Sequence, residues 1–357
     1  MNAWHYAPPV GSRSGVADYA VALDKHLHGQ YGPLYHLGNN GLHREIYALA
    51  LTKPGVVMLH DAVLHHFLLG CLTREQYIAE FVYNYGEWKR DLAEELWEHR
   101  SASGTDPRYF DFPMLRRVAE TAKAVIVHNR GAERLAREHG ATTVHVIPHF
   151  HEPAVADAVD GLQFRQKLGI DAGTTLFGIF GYLRETKRVL PSIRAFGRLH
   201  GLRPKTALLV AGEPVSDDLR RLIDAESERP GINRLGHLSE RELQAAGSAI
   251  DCCINLRWPG AGETSGIAIR MMGLGKPVIL TESLENEDFP EGTRLTVSRG
   301  ADEGEELFHQ MALVADFPAL ARDIGTAARR HIERHHAITH VAELIASILQ
   351  SGLPRLP

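Results

Sequence analysis

Several short stretches of this chain place anion-handling or hydroxyl-handling side chains beside glycine, or at the end of an apolar run. The stretch from Arg257 to Pro277, RWPGAGETSGIAIRMMGLGKP, carries Glu263, Thr264, Ser265 and Gly266 into a segment of helical spacing, about 264–274. Amides at a helix start can hold an anion, and the carboxyl end of a strand is where open α/β sheets take ligands. An ordinary strand–loop–helix connection would look the same. The run Gly181–Arg188 (GYLRETKR) sets Arg184, Lys187 and Arg188 just before a helical pattern at 189–199. Cations there oppose the helix dipole, which points to an anionic ligand, phosphate above all, with a solvated charged loop as the alternative. Gly11-Ser12-Arg13-Ser14-Gly15 is a third such loop, its small residues permitting close backbone approach and Arg13 able to meet an anion, unless it is a simple turn. Two apolar runs end in polar groups, Val56–Leu59 in His60-Asp61 and Ala124–Val127 in His128-Asn129-Arg130. Such groups are badly placed for a core and well placed for a site, although a lone histidine is more often structural.

These loops need a scaffold of buried strands, and short apolar runs bounded by Gly and Pro supply it. The runs 56–59, 124–127, 144–147, 176–180, 207–210, 250–256 and 278–280 read as strands. Helical spacing follows many of them, at 16–27, 131–139, 189–199 and after Ser239, where Glu242 three residues on makes a capping box. The alternation restarts after the small, polar run 154–161, so two doubly wound α/β domains facing each other across a cleft are expected. Their bounds are 1–152 and 153–335, with 336–357 as a last helix that packs back on the first domain. Residues 64–120 form a helical insertion rich in aromatics (Phe67, Tyr77, Phe81, Trp88, Trp97, Tyr109), suited to a core, an acceptor pocket or a lipid-facing patch.

A chain of 357 residues suits two domains, and a hydrophobic content of 44% with 23% charged residues is ordinary for a globular protein. A net charge of −5 argues against nucleic acid as a partner. Three cysteines, two of them adjacent in an apolar run, make no disulfide framework and fit a reducing, cytoplasmic setting. No signal peptide and no 18-residue apolar run is visible. The 21 histidines include the pairs His65-His66 and His335-His336 but no H-E-x-x-H spacing, so no metal site is expected.

Taken in order, PPVGSRSGVADYA, VVMLHD, AVIVHN with VHVIPHF, FGYLRETKRVLPSIRAF and AGETSGIAIRMMGLGKPVI resemble the ordered motifs of retaining GT-B glycosyltransferases of family 4 (group 1). The resemblance covers nearly the whole chain. It implies transfer of a hexose-type sugar from a nucleotide diphosphate sugar to a carbohydrate or lipid-linked acceptor, as in polysaccharide biosynthesis. It implies neither a metal nor another cofactor, a cytoplasmic site, and at most peripheral contact with the inner face of a membrane. Lys187 matches the diphosphate lysine, with Arg184 or Arg188 as a second cation, and Thr264, Ser265 and Gly266 would present amides to the phosphates. Gly11, Ser12, Arg13 and Gly15 would reach the donor from the other domain, as would Arg257 from its own. His237 lies in the segment that holds the nucleobase. Glu263 matches the first glutamate of a Glu-x7-Glu motif and would hold donor sugar hydroxyls. His60, with Asp61 and His128, would bind sugar or orient the acceptor. His60, Glu263 and Lys187 are thus the implied catalytic set. The second motif glutamate would fall at Met271, a departure that bears on ribose recognition, and Arg270 beside it would point about 100° away on a helix.

Three rivals stand against this reading. A nucleotide-sugar epimerase would need paired carboxylates, and only Glu263 and Asp61 are placed for that. A nicotinamide-dependent oxidoreductase would need G-x-G-x-x-G, which the loop at 11–15 does not supply. A non-catalytic nucleotide-sugar or glycan-binding module remains the main alternative, with Met271 as its support.

Overall fold

The structure, a computed structural model, describes residues 2, 4–12, 14–153 and 158–351. The chain divides into two compact units, one of Met1–Phe150 with Pro259–Thr264 and the segment from Ile338, the other of His151–Trp258 with Ser265–Ala337. Each is built on its own parallel sheet.

In the first unit β1 (His5–Tyr6), β2 (Leu34–Leu37), β3 (Val56–Leu59), β4 (Ala124–Val127) and β5 (Val144–Val146) lie side by side in chain order, every pair parallel. Parallel strands are covered on both faces, and the runs Leu34–Leu37, Val56–Leu59 and Ala124–Val127 are buried throughout. Alternation sends Tyr35, Leu37, Val57, Leu59, Val125 and Val127 to one face, against the helical insertion. Leu34, Val56, Met58, Ala124 and Ile126 go to the other, under Tyr19 and Leu23 of α1 (Gly15–Asp24) and under the C-terminal helix Ile338–Ser351. Most insertion aromatics settle as core: Phe67, Tyr77, Phe81 and Tyr109 are buried, and Trp88 is 78% exposed. His65 belongs to that core, its two ring nitrogens engaging Phe112 O at 2.9 Å and the Tyr77 hydroxyl at 2.8 Å.

The second unit holds β6 (Thr175–Phe180), β7 (Thr206–Ala211), β8 (Ile232–Leu235), β9 (Cys252–Asn255), β10 (Val278–Thr281) and β11 (Leu295–Val297), all parallel. Their spatial order is β11-β10-β9-β6-β7-β8. The chain therefore builds outward from β6 in one direction and, after β8, outward from β9 in the other. The reversal lies between β6 and β9, where such sheets take ligands at the carboxyl ends of the strands. β8 and β11, which no apolar run announced, complete the second sheet by pairing along its two edges.

Buried apolar residues of the C-terminal helix make it part of the first unit's core. Ile345→Ala should therefore cost about 2–5 kcal/mol in urea unfolding followed by tryptophan fluorescence. A loss below about 0.5 kcal/mol would contradict that packing.

Candidate functional site

In the second unit the two loops at the strand-order reversal come together. Beyond β6 the chain turns at Gly181, φ +89°, and again at Arg188, φ 55°. A side chain at Gly212, after β7, would sit 1.9 Å from Gly181 O, so glycine there lets the two loop backbones pass. Lys187 donates from Nζ to Phe180 O at 3.0 Å, at the mouth of β6, directly before α3, the helix Val189–Leu202 (α2 being Arg130–Glu138 in the first unit). Arg188 precedes α3 with no capping side chain, and α3 has no acidic residue in its first turn. Trp258 N donates to Thr186 O at 2.7 Å and ties in the loop after β9. Arg257 donates from its backbone to Thr281 Oγ1 at 2.9 Å and from its guanidinium to Ser265 Oγ at 3.3 Å.

Ser265 is the N-cap of a helix that starts at Gly266, its Oγ accepting from Ala268 N at 3.3 Å. The start is thus two residues later than the spacing suggests. In chain order α4 is Glu240–Ala249, opened by the Ser239–Glu242 capping box, and α5 is Gly266–Gly273. Serine satisfies one orphan amide of α5, and the earlier amides remain available as at any helix start. His237 is exposed beyond β8, its backbone N–H bonding Glu213 at 3.2 Å. Arg184 is exposed. Arg188 is not an open cation: its guanidinium grips the buried Glu303, Nε to Oε1 at 2.8 Å and to Oε2 at 3.0 Å.

Helix phase resolves the question at Met271. Counting from Glu263 puts the second motif position there, but Met271 is buried among Ala268, Ile269 and Met272 and faces Gly247 of α4. The neighbouring Arg270 turns outward, and its Nη1 meets Glu240 at 2.9 Å. The side chain at the second motif position therefore lies in the apolar core.

The first unit collects a different chemistry. Alternation along the sheet carries His5, His36, and the residues just past two strands, His60 and His128, to the same face. Tyr19 of α1 stands among them, its ring 4.8 Å from His60 and 5.3 Å from His128. His60 and His128 rings are 5.2 Å apart. His128 donates from Nδ1 to Ile147 O at 2.9 Å, which leaves Nε2 as a bare acceptor; that atom is buried and has no protein partner among the described residues. Burial pushes the His128 imidazole down to about 4. Burial first, and the neighbouring histidines second, hold His60 well below its ordinary value. Both rings are therefore neutral near pH 7 and suited to hydroxyls rather than phosphate. The Tyr19 hydroxyl and Ser12 Oγ are likewise buried without a partner among the described residues, and such groups cost about 1–3 kcal/mol each unless a ligand or water meets them.

Asp61 accepts from Asn39 N at 2.7 Å. The loop carrying Glu263 is held to this unit: Ala62 N and Val63 N both donate to Ala261 O, at 2.8 and 3.0 Å. Glu263 accepts from Ala261 N at 2.8 Å, and Thr264 Oγ1 bonds His128 O at 3.3 Å. So Glu263 and Thr264 lie with the first unit, while Ser265 and Gly266 open a helix of the second. Gly11, at φ +83°, and Gly15, the first residue of α1, shape the N-terminal loop; Arg13 lies outside the described residues. Asn129, one of the polar groups ending the run Ala124–Val127, has two roles. It caps α2 through Ala132 N at 2.7 Å and also donates to Gly262 O and Thr264 Oγ1, both at 3.0 Å. The first role is local; the second depends on residues 133–135 positions away. His5 and His36 were missed, though strand alternation with His60 and His128 was a signal for them.

Among the described residues no group of three or more His, Cys, Asp or Glu side chains is placed to hold a metal ion, and no helix is long and apolar enough to cross a membrane.

Two parallel-sheet α/β units with these loops have the GT-B fold of glycosyltransferases. The chain is similar to WaaG, a glycosyltransferase involved in lipopolysaccharide biosynthesis, at 17% identity and TM-score 0.64 over 98% of each chain. It is similar to HepE of Anabaena, solved with UDP-glucose, at 14% identity and TM-score 0.62 over 87% of this chain and 82% of that one. Sucrose-phosphate synthase of Thermosynechococcus elongatus matches at 16% identity and TM-score 0.62, over 90% and 73%. The sequence matches no family profile and no curated protein.

The lowered His128 value has a stability consequence. Between about pH 4 and pH 6.5 the unfolded chain binds the proton that the folded chain refuses, so stability rises with pH and is lost as pH falls through that window. The slope per group approaches about 1.4 kcal/mol per pH unit. His128→Asn should flatten the decline in urea midpoint between pH 7 and pH 4.5. An identical decline in both proteins would contradict a buried neutral His128.

Proposed function

We propose that this chain is a glycosyltransferase that moves a hexose-type sugar from a nucleotide diphosphate sugar to a carbohydrate or lipid-linked acceptor, with retention and without a metal. The observation that carries the reading is the convergence at the strand-order reversal of the second sheet. Lys187, Arg257 and the start of α5 meet there, where a diphosphate fits by charge and by position. The GT-B fold supports it, and so does the UDP-glucose bound by Anabaena HepE, whose fold this chain resembles. Three unpaired cysteines fit a reducing, cytoplasmic setting.

In the proposed reaction the bond from the sugar's anomeric carbon to the diphosphate oxygen breaks, and a bond to an acceptor hydroxyl oxygen forms on the same face. The acceptor's proton passes to the departing phosphate. Charge accumulates on the diphosphate as its bond opens, so Lys187, Arg184 and the amides of Ser265 and Gly266 act by stabilising that charge. Arg188 serves the loop instead through its pair with Glu303. His60, His128, Asp61 and Glu263 take sugar hydroxyls, the neutral imidazoles accepting and the carboxylates fixing orientation. With Met271 in the core, ribose recognition falls to other groups, and Arg270 is the outward-facing residue of that turn. A binding module without turnover is the second reading, favoured by the missing motif carboxylate.

The test is release of nucleoside diphosphate from a panel of nucleotide sugars in the presence of mixed glycan and glycolipid acceptors. Lys187→Ala should lower release about a hundredfold or more, with the unfolding midpoint nearly unchanged. Full turnover in that variant would contradict the diphosphate role. Binding of a nucleotide sugar with no turnover in the unaltered protein would favour the binding module.

A further inference from the structure

A line of hydrogen-bonded imidazoles runs through the first unit behind His60. His60 Nε2 lies 2.8 Å from His36 Nδ1. His36 Nε2 lies 2.6 Å from His5 Nε2, and His5 Nδ1 lies 2.9 Å from Asp24 Oδ1. His36 is fully buried, whereas Asp24 and His60 at the two ends keep some exposure. Asp24 also accepts from the backbone and side-chain amides of Asn2, each at 3.1 Å.

Donor and acceptor rules give this line one direction. A carboxylate only accepts, so His5 donates to Asp24 from Nδ1. Burial lowers the His5 imidazole from its ordinary value, the Asp24 hydrogen bond opposing less strongly, so His5 is neutral and its Nε2 is bare. His36 must then donate from Nε2 and accept at Nδ1, which obliges His60 to donate from Nε2. Asp24 is the only member that cannot reverse. Burial alone would raise it, and the hydrogen bonds from His5 and Asn2 more than offset that, keeping it below its ordinary value as a carboxylate.

We propose that Asp24, His5 and His36 are positioning residues that hold His60 in the Nε2–H tautomer, so that its Nδ1 accepts a hydrogen bond from a hydroxyl of the bound sugar. The part concerning sugar rests on the glycosyltransferase reading; the tautomer does not. His128 is held by Ile147 O in the opposite tautomer, and its bare Nε2 is buried. A neutral acceptor at His60 Nδ1 selects a neutral polyol over an anion. The arrangement also accounts for histidine, rather than an aliphatic residue, in the middle of a strand buried on both faces.

The experiment is two-bond ¹H–¹⁵N correlation on the full chain labelled at histidine, with rings assigned by single substitutions, near pH 7 and without donor. His60 should show a protonated Nε2 and a bare Nδ1. In Asp24→Asn, where the amide can donate as well as accept, the His60 signals should shift toward a mixture of tautomers. Turnover should fall about tenfold or more through kcat, with KM for donor much less affected. A wild-type His60 protonated on Nδ1 overturns the proposal, and this reading holds even if the variant fails to fold. An unchanged His60 tautomer in a folded Asp24→Asn overturns it too. The expected tautomers in a protein that turns over no nucleotide sugar would uphold the relay and reject the glycosyltransferase reading instead.

Discussion

A parallel sheet covered on both faces admits polar side chains at two kinds of place, the carboxyl ends of its strands or wherever a partner satisfies them inside. Both of this protein's sheets obey that restriction, and it decides where chemistry can occur. Arg257, His60 and His128 stand just past strand ends, and Lys187 reaches back to one through Phe180 O. His36 is the exception that shows the rule: it lies mid-strand, fully buried, and is bonded at both ring nitrogens. Without those bonds its imidazole would cost about 1–3 kcal/mol of desolvation.

The two units divide the electrostatics. In the second, cations gather at the start of α3, where the dipole opposes them, and one of them is neutralised by Glu303. A site that stores unfavourable positive potential gains when an anion enters. In the first, burial strips charge from the imidazoles and leaves neutral acceptors.

Much of this was legible beforehand, for reasons that can be named. The runs 56–59, 124–127 and 278–280 are strands because they are apolar, short and bounded by breakers, and the Ser239–Glu242 box is local chemistry. The Lys187 and Ser265 loops could be found because glycine and charge stand out against apolar flanks. What stayed hidden depends on distance along the chain. Arg188 reads as a free cation until the fold brings Glu303 to it, 115 residues later. Asn129 reads only as a polar group at the end of an apolar run until the loop at 262–264 bonds to it. Met271 occupies the second motif position by count, and only the phase of α5 shows that this position faces inward.

The central claim is that the second sheet's reversal point receives a nucleoside diphosphate. Thermal shift and calorimetric titration with UDP, GDP, ADP, TDP and CDP test it most directly, since no acceptor need be known. At ~1 mM ligand and a dissociation constant of ~10 μM, binding would stabilise the folded state by about 2.7 kcal/mol. The account predicts such a shift with at least one of the five and a weaker one with the matching monophosphate. No stabilisation by any diphosphate would contradict it.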